Sequence, residues 1–233
     1  MDIQTLTKTD LAGMIDHTNL QPFADREAMR RLCDEARANG FAMVAINSAQ
    51  TALCAEFLRG AAVRVGAAIG FPLGQTAIEV KAFETMNAIA DGAGEIDYVV
   101  NLSMVKDQNW AYIRREMEEI TSVCRMNQVI SKVIFENCYL TGWEIVKLAE
   151  IARAVRPDFI KTSTGFGTGG ATVDDVKRMK DVVGSIVKVK AAGGIRDWAT
   201  CRAMIEAGAE RIGTSAGLKI IEEFCAAAKG KCA

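Results

Sequence analysis

A short, β-branched apolar run, a turn of glycine or polar residues and a longer amphipathic stretch follow one another repeatedly along the whole chain. The strand candidates are Met14 to Thr18, Phe41 to Asn47, Val63 to Ile69, Glu95 to Asn101, Lys132 to Glu136, Asp158 to Thr162, Ile186 to Ala191 and Glu210 to Thr214. Between them, Ile78, Ala82, Met86 and Ile89 recur at helical spacing, as do Ile113, Met117, Ile120 and Cys124. Val173, Val176, Lys180 and Val183 repeat the pattern with one polar exception. Strands that alternate with helices call for a parallel sheet with helices over its faces. Eight such units in 233 residues average about 29 residues each, the scale of a small (β/α)8 TIM barrel. An open, doubly wound sheet is the alternative, but no G-x-G-x-x-G follows the first strand candidate. The prolines, Pro22, Pro72 and Pro157, are scattered, and no linker or charge block divides the chain. Residues 1–233 are therefore expected to form one domain.

Composition narrows the function. With 28 basic and 29 acidic side chains, the formal net charge is -1, which argues against a surface that coats nucleic acid. The longest charge-free stretch, Ala38 to Ala55, holds Asn39, Gly40, Asn47, Ser48, Gln50 and Thr51, so no membrane span is expected. The first ten residues lack the basic and apolar regions of a secretory signal. The cysteines are odd in number and none has C-x-x-C spacing. Reduced thiols in a cytoplasmic enzyme are the simplest expectation.

In a barrel, the loops after the strands build the active site, so ionisable residues near strand C-terminal ends are the candidates. The polar candidates are numerous: the ionisable Asp16, Asp97, Glu136, Lys161 and Lys190, together with Asn47. Buried charges need partners or a catalytic reason, and a purely structural ion-pair network is the bland explanation. If the strands of Lys161 and Lys190 are neighbours, two ammonium groups about 5 Å apart at an effective dielectric near 20 repel by roughly 3 kcal/mol, about two pKa units. One of the two amines is then largely neutral near physiological pH. A neutral lysine in a cleft is a nucleophile for carbonyl carbon, forming a Schiff base that acts as an electron sink. Asp97 or Asp16, through a water, could move the protons such steps require. Residue chemistry alone does not say which lysine is the nucleophile. A metal site is not expected, because the one histidine, His17, has no ligand cluster around it in the sequence and suits a positioning role. No cofactor is expected either.

Glycine-rich turns follow the last three strand candidates: Gly165 to Gly170, Gly193-Gly194 and Gly213 to Gly217. One such turn means little, since tight βα turns use glycine anyway. Three in succession, with a helix N-terminus behind them, form an anion site where many barrels hold phosphate. A phosphorylated carbonyl substrate is the expectation.

The chain resembles the deoxyribose-phosphate aldolases, metal-free class I aldolases on a TIM barrel. The matching stretches are Ile15-Asp-His-Thr18, Gly70-Phe-Pro-Leu-Gly74, Gly94-Glu-Ile-Asp97 with Asn101, Lys132-Val-Ile-Phe-Glu136, Asp158 to Gly167, Gly169 to Thr172, Lys190 to Arg196 and Arg211 to Ser215. The resemblance implies Lys161 as the Schiff-base lysine, Lys190 as the lysine that depresses its pKa, Asp97 as a proton relay through water and Asp16 as the partner of the second lysine. It further implies a phosphate held at Gly165, Gly193, Gly194, Gly213 and Ser215. The implied reaction is reversible cleavage of 2-deoxy-D-ribose 5-phosphate, a phosphorylated sugar aldehyde, to glyceraldehyde 3-phosphate and acetaldehyde in deoxynucleoside catabolism, by a homodimer. A related lyase acting on another phosphorylated ketose, or a sugar-phosphate binder without turnover, are the competing readings. Two departures from the family pattern stand out: Val44-Ala45-Ile46-Asn47 lacks the usual cysteine, and Ala216 follows Ser215 where some members have a second serine. Lys188 shares a strand face with Lys190 and could be a third interior cation or a rim residue.

Overall fold

A computed structural model describes residues 3–227. Its eight strands close in chain order into a parallel barrel: β1 (Ile15–Thr18), β2 (Met43–Asn47), β3 (Arg64–Ile69), β4 (Glu95–Val99), β5 (Ile130–Ile134), β6 (Phe159–Lys161), β7 (Lys188–Ala192) and β8 (Arg211–Thr214). A short helix, α1 (Lys8–Ala12), precedes β1. The connections carry α2 (Arg26–Asn39), α3 (Thr51–Phe57), α4 (Ile78–Ala90), α5 (Leu102–Lys106), α6 (Trp110–Met126), α7 (Gly142–Val155), α8 (Val173–Val183) and α9 (Trp198–Glu206), and α10 (Gly217–Ala227) follows β8. This is the (β/α)8 TIM barrel expected from the alternation of patterns.

The strands have two unlike faces. Val44, Ile46, Val65, Ile69, Ile96, Val133, Ile160, Val189 and Ile212 join one apolar core with Leu32, Ile113, Met117, Ile120, Leu148, Val176 and Ile220 of the helices. At alternate positions, the other face turns into the barrel. There Asp16, Glu95, Asp97, Lys132, Lys161, Lys190 and Arg211 are all buried. Large apolar residues thus fill the layer between barrel and helices, while charge fills the barrel itself.

Three expectations need correction. Strand β5 begins and ends two residues earlier than Lys132 to Glu136, so Glu136 lies beyond the strand in a left-handed conformation (φ 57°) and Lys132 sits mid-strand. Helix α4 buries Ile78 and Ala82 and packs Ile89 against the core, but leaves Met86 of that stripe outside. Its buried face is Ile78, Lys81, Ala82, Thr85 and Ala88, and Met86 is exposed. The helical period is right, but a buried lysine rotates the inward face away from the one hydrophobicity alone selects. Third, the thiols are not all reduced: Cys33, Cys54, Cys124, Cys138 and Cys201 are free, whereas Cys225 is disulfide-bonded. The spacing test behind that expectation detects only C-x-x-C clips. Cys232 lies outside the described residues. No helix among the described residues is long and apolar enough to cross a membrane.

Most helix starts are set by side-chain caps, α3 and α4 excepted. Thr141 opens α7 with a capping box, its hydroxyl accepting from the Glu144 N–H at 3.3 Å while the Glu144 carboxylate accepts from the Thr141 N–H at 2.6 Å. Thr141→Ala is expected to cost about 1 kcal/mol and lower Tm by roughly 2–4 °C, read by thermal unfolding followed by circular dichroism.

Candidate active site

Strand register brings the ionisable residues together. Asp97 on β4 pairs across the sheet with Lys132 on β5, Lys161 on β6 with Lys190 on β7, and Lys190 with Arg211 on β8. Asp16 on β1 lies opposite Gly213, whose missing side chain leaves room for Lys190: a Cβ there would stand 3.1 Å from the lysine Cε.

Six of these side chains form a closed circuit of alternating charge. Asp97 meets Lys190 at 2.7 Å, Lys190 meets Asp16 at 2.5 Å, and Asp16 meets Arg211 at 2.7 Å. Arg211 meets Glu95 at 3.2 Å, Glu95 meets Lys132 at 2.5 Å, and Lys132 returns to Asp97 at 2.7 Å. Arg64, half exposed, touches Glu95 from outside the circuit at 3.4 Å. Within the circuit the charges cancel. Lys161 is the seventh member, attached to Asp97 Oδ2 at 2.9 Å, and it is the cation without a carboxylate of its own.

The pKa directions follow from this arrangement. Burial drives the Lys161 amine down most strongly; Asp97 opposes it and the charge on Lys190 adds to it, leaving a value of about 8 against 10.5 for an ordinary lysine. Burial is thus the first cause and repulsion by Lys190 a further one, a different weighting from an argument based on repulsion alone. Burial also works against ionised Asp97 and Asp16, but cations outweigh it in both: Lys132, Lys161 and Lys190 hold Asp97 well below the usual carboxylate range, and Lys190 and Arg211 lower Asp16. Burial alone would lower Lys132, yet Asp97 and Glu95 raise it above the ordinary lysine value. At pH 7.5 a pKa near 8 leaves about a quarter of the Lys161 amine neutral.

Lys161 forms the floor of a cavity of about 220 Å³. Gly165, Gly193, Gly194, Gly213 and Ser215, the five residues expected at a phosphate, all line it, with Thr18, Leu20 and Gln21 of the β1 loop and Phe166 at the rim. Gly165, Gly193 and Gly194 have φ of 90°, 86° and 78°, a region that side chains with a Cβ rarely enter. The N–H groups of Gly165, Gly194 and Ser215 donate to no acceptor among the described residues. With the start of α10 just beyond, they suit an anion. The Ala216 N–H is already taken by Thr214 Oγ1 at 2.9 Å.

Other candidates fall elsewhere. Asn47 Nδ2 donates to the Leu20 carbonyl at 3.2 Å and stays outside the charge circuit. Glu136 is held above the usual carboxylate range by burial, despite accepting from the hydroxyl and N–H of Thr164. Lys188 is exposed, its Nζ 5.6 Å from the centre of the Phe159 ring, so it is a rim residue. His17 faces away from the circuit, its Nε2 2.7 Å from Glu35, which fits a positioning group. The sequence does not mark Lys132, Glu95 and Arg211 as site residues. Their signal was the period-2 spacing that puts Glu95 on the face of Asp97 and Arg211 on the face of Gly213.

A lysine of lowered pKa at the C-terminal mouth of a TIM barrel, under a glycine cradle, defines the class as a barrel enzyme with an amine nucleophile beside a candidate anion site. Comparison with known proteins agrees and narrows it: the profile of the "DeoC/LacD family aldolase" matches residues 10–223. The deoxyribose-phosphate aldolase of Lactobacillus acidophilus is 57% identical, covering 93% of this chain and 91% of that protein. That of Bacteroides thetaiotaomicron is 52% identical, covering 98% and 96%. Among solved structures, "QR15, an Aldolase" superposes with a TM-score of 0.87 at 39% identity, covering 92% of this chain and 96% of that one. The deoxyribose phosphate aldolase of Aeropyrum pernix, described as a unique tetramer, gives 0.88 at 32%, covering 95% and 94%. The chain belongs to the DeoC/LacD aldolase family. It is an aldolase, a carbon–carbon lyase.

Lys190→Met removes a charge that lowers Lys161 and frees Asp97 to attract it. The Lys161 midpoint is expected to move up from about 8, measured by mass spectrometry as the pH dependence of Lys161 reductive methylation. An unmoved midpoint contradicts the assigned electrostatics.

Proposed function

We propose that this aldolase reversibly cleaves 2-deoxy-D-ribose 5-phosphate to glyceraldehyde 3-phosphate and acetaldehyde through a Schiff base on Lys161. The observation that carries the reading is a buried amine with a pKa of about 8 at the floor of a cavity lined by Gly165, Gly193, Gly194, Gly213 and Ser215. The phosphate, seated on those groups, places the sugar's C1 carbonyl over Lys161.

The neutral Lys161 amine adds to C1, and the carbinolamine loses water to give a protonated imine. Removal of the C3 hydroxyl proton lets the C2–C3 bond break, its electron pair passing into the imine to form the enamine of acetaldehyde. Glyceraldehyde 3-phosphate leaves, C2 takes up a proton, and water releases acetaldehyde and regenerates the amine. Lys190 keeps Lys161 from holding its proton too tightly. Asp16 anchors Lys190 on its far side. In the resting site, Asp97 bonds the ammonium groups directly rather than through a water, and is too acidic to take up a proton. Once Lys161 is neutral, Oδ2, still held by Lys190, can accept from a water that relays protons to the imine and enamine.

Five free thiols among the described residues, against one disulfide-bonded cysteine, favour a reducing, cytoplasmic setting. Val80, Phe83 and Met86, exposed on α4, favour a homodimer. The whole chain, 1–233, would act as one aldolase domain.

Borohydride reduction in the presence of deoxyribose 5-phosphate, followed by intact-mass analysis and peptide mapping, tests the reading. A stable two-carbon or sugar adduct on Lys161 is expected. Lys161→Ala should lose turnover by at least about a thousandfold while retaining inorganic phosphate binding. No adduct on Lys161, with cleavage still observed, contradicts it.

A further inference from the structure

The Gly70-Phe-Pro-Leu-Gly74 stretch after β3 and the buried ion pair beneath it have no part in the chemistry described above. Lys81 on α4 and Glu116 on α6 are both fully buried and meet at 2.6 Å. The lysine uses its three donor hydrogens on three different segments: the Gly74 carbonyl at 2.8 Å, the Val99 carbonyl at the end of β4 at 2.7 Å, and Glu116. The second Glu116 oxygen accepts from the Asn101 N–H at 3.0 Å. Burial draws both partners toward their neutral forms, Lys81 downward and Glu116 upward. Such a pair is a weak source of stability and a strong source of geometry, since each hydrogen bond fixes one segment against the others.

What it fixes is the loop. Gly74 N–H donates to the Gly70 carbonyl at 2.7 Å, closing the loop at its base, and Gly70 N–H donates to Glu84 at 2.9 Å. Glu84 also accepts from Ser48 Oγ after β2, at 2.6 Å. Gly74 packs so closely that a Cβ would stand 2.1 Å from the Val100 carbonyl oxygen. The loop tip is directed toward the mouth, where the Phe71 ring meets Phe166 edge-on, with centroids 5.4 Å apart. Phe166 belongs to the cavity wall and follows Gly165 directly. Its N–H is held by Thr164 Oγ1 at 3.0 Å. The cavity itself is lined only by residues of the β1, β6, β7 and β8 ends. The aromatic pair joins that half of the mouth to the half built by β3.

We propose that Lys81, through its buried pair with Glu116, is a positioning residue that fixes the Gly70–Gly74 loop as the outer wall of the substrate site, with Phe71 holding Phe166 and the Thr164–Phe166 turn in place for the phosphate. The proposal rests on the Lys161 aldolase reading and adds a determinant of affinity for phosphorylated substrate. Acetaldehyde, which has no phosphate to place, does not depend on the wall.

Two reactions separate these demands: cleavage of deoxyribose 5-phosphate, and exchange of acetaldehyde methyl protons with D2O through the enamine. Phe71→Ala is expected to raise KM for deoxyribose 5-phosphate about five- to tenfold, the scale of one aromatic pair, with kcat and acetaldehyde exchange changed less than about threefold. Phe71→Tyr, which keeps the ring, restores KM. Lys81→Met raises KM at least as much, and combining it with Phe71→Ala adds little, because both act through one contact. A merely structural Lys81 would reduce the yield of folded enzyme without moving KM. If Lys81→Met does not fold, Phe71→Ala decides, since it leaves the buried pair intact. Unchanged KM in Phe71→Ala, or parallel loss of exchange and cleavage, overturns the proposal. Absence of exchange in the unaltered protein marks failure of the Lys161 reading instead, and removes the basis of this one.

Discussion

Three carboxylates and three cations, threaded alternately through the middle of the barrel, account for most of what is unusual about this molecule. Within the circuit, Asp97, Lys190, Asp16, Arg211, Glu95 and Lys132 each touch two neighbours of opposite sign. None could be buried alone, because an unpaired interior charge is expensive. Together they form a neutral body, and that leaves Lys161 as a surplus cation whose protonated form the interior does not favour. The amine at the base of the cavity has a lowered pKa because burial penalises its charge and Asp97, already shared with Lys132 and Lys190, only partly offsets that penalty.

The same circuit explains the division of labour in the fold. Interior positions given to charge cannot supply apolar burial, so the hydrophobic core has moved outward to the interface between strands and helices, where Val44, Ile96, Val133 and Ile212 meet residues such as Met117, Leu148 and Ile220. Gly213 leaves space beside Lys190, and Gly66 does the same beside Met43, where an added Cβ would stand 2.4 Å from the methionine Cε. Small residues next to long ones keep the interior filled without overpacking it.

Period and punctuation made the barrel legible in the sequence: β-branched runs at regular intervals, glycine turns behind the last three strands, and ionisable residues where strands end. Lys161, Lys190, Asp97 and Asp16 stood out because they interrupt apolar runs, and the structure brings all four into contact. Lys132 was hidden by a strand boundary two residues out of place, which made it look like a strand entrance rather than an interior position. Glu95 and Arg211 were hidden for a related reason, since a charge at the first residue of a strand resembles a solvated edge until the barrel closes around it. Lys81 escaped because hydrophobic periodicity assigns a helix face by its apolar members, and α4 turns Val80, Phe83 and Met86 outward and a paired lysine inward. The weighting of burial over repulsion in setting the Lys161 pKa could not come from spacing, because desolvation depends on three-dimensional packing.

Around this centre, the loops act as separate devices on one rigid frame: those after β6, β7 and β8 turn backbone toward the cavity, β1 closes one side, and the β3 loop is pinned from below by its own buried pair. The central claim is that the closed circuit leaves Lys161 as the odd cation. The most direct test is a 13C NMR titration of the enzyme carrying 13Cε-labelled lysine, with Lys161→Met to assign the resonance. The account predicts that the Lys161 signal titrates with a midpoint near 8, while that of Lys132 remains charged beyond the ordinary lysine range. A Lys161 midpoint at the ordinary lysine value of about 10.4 would contradict it.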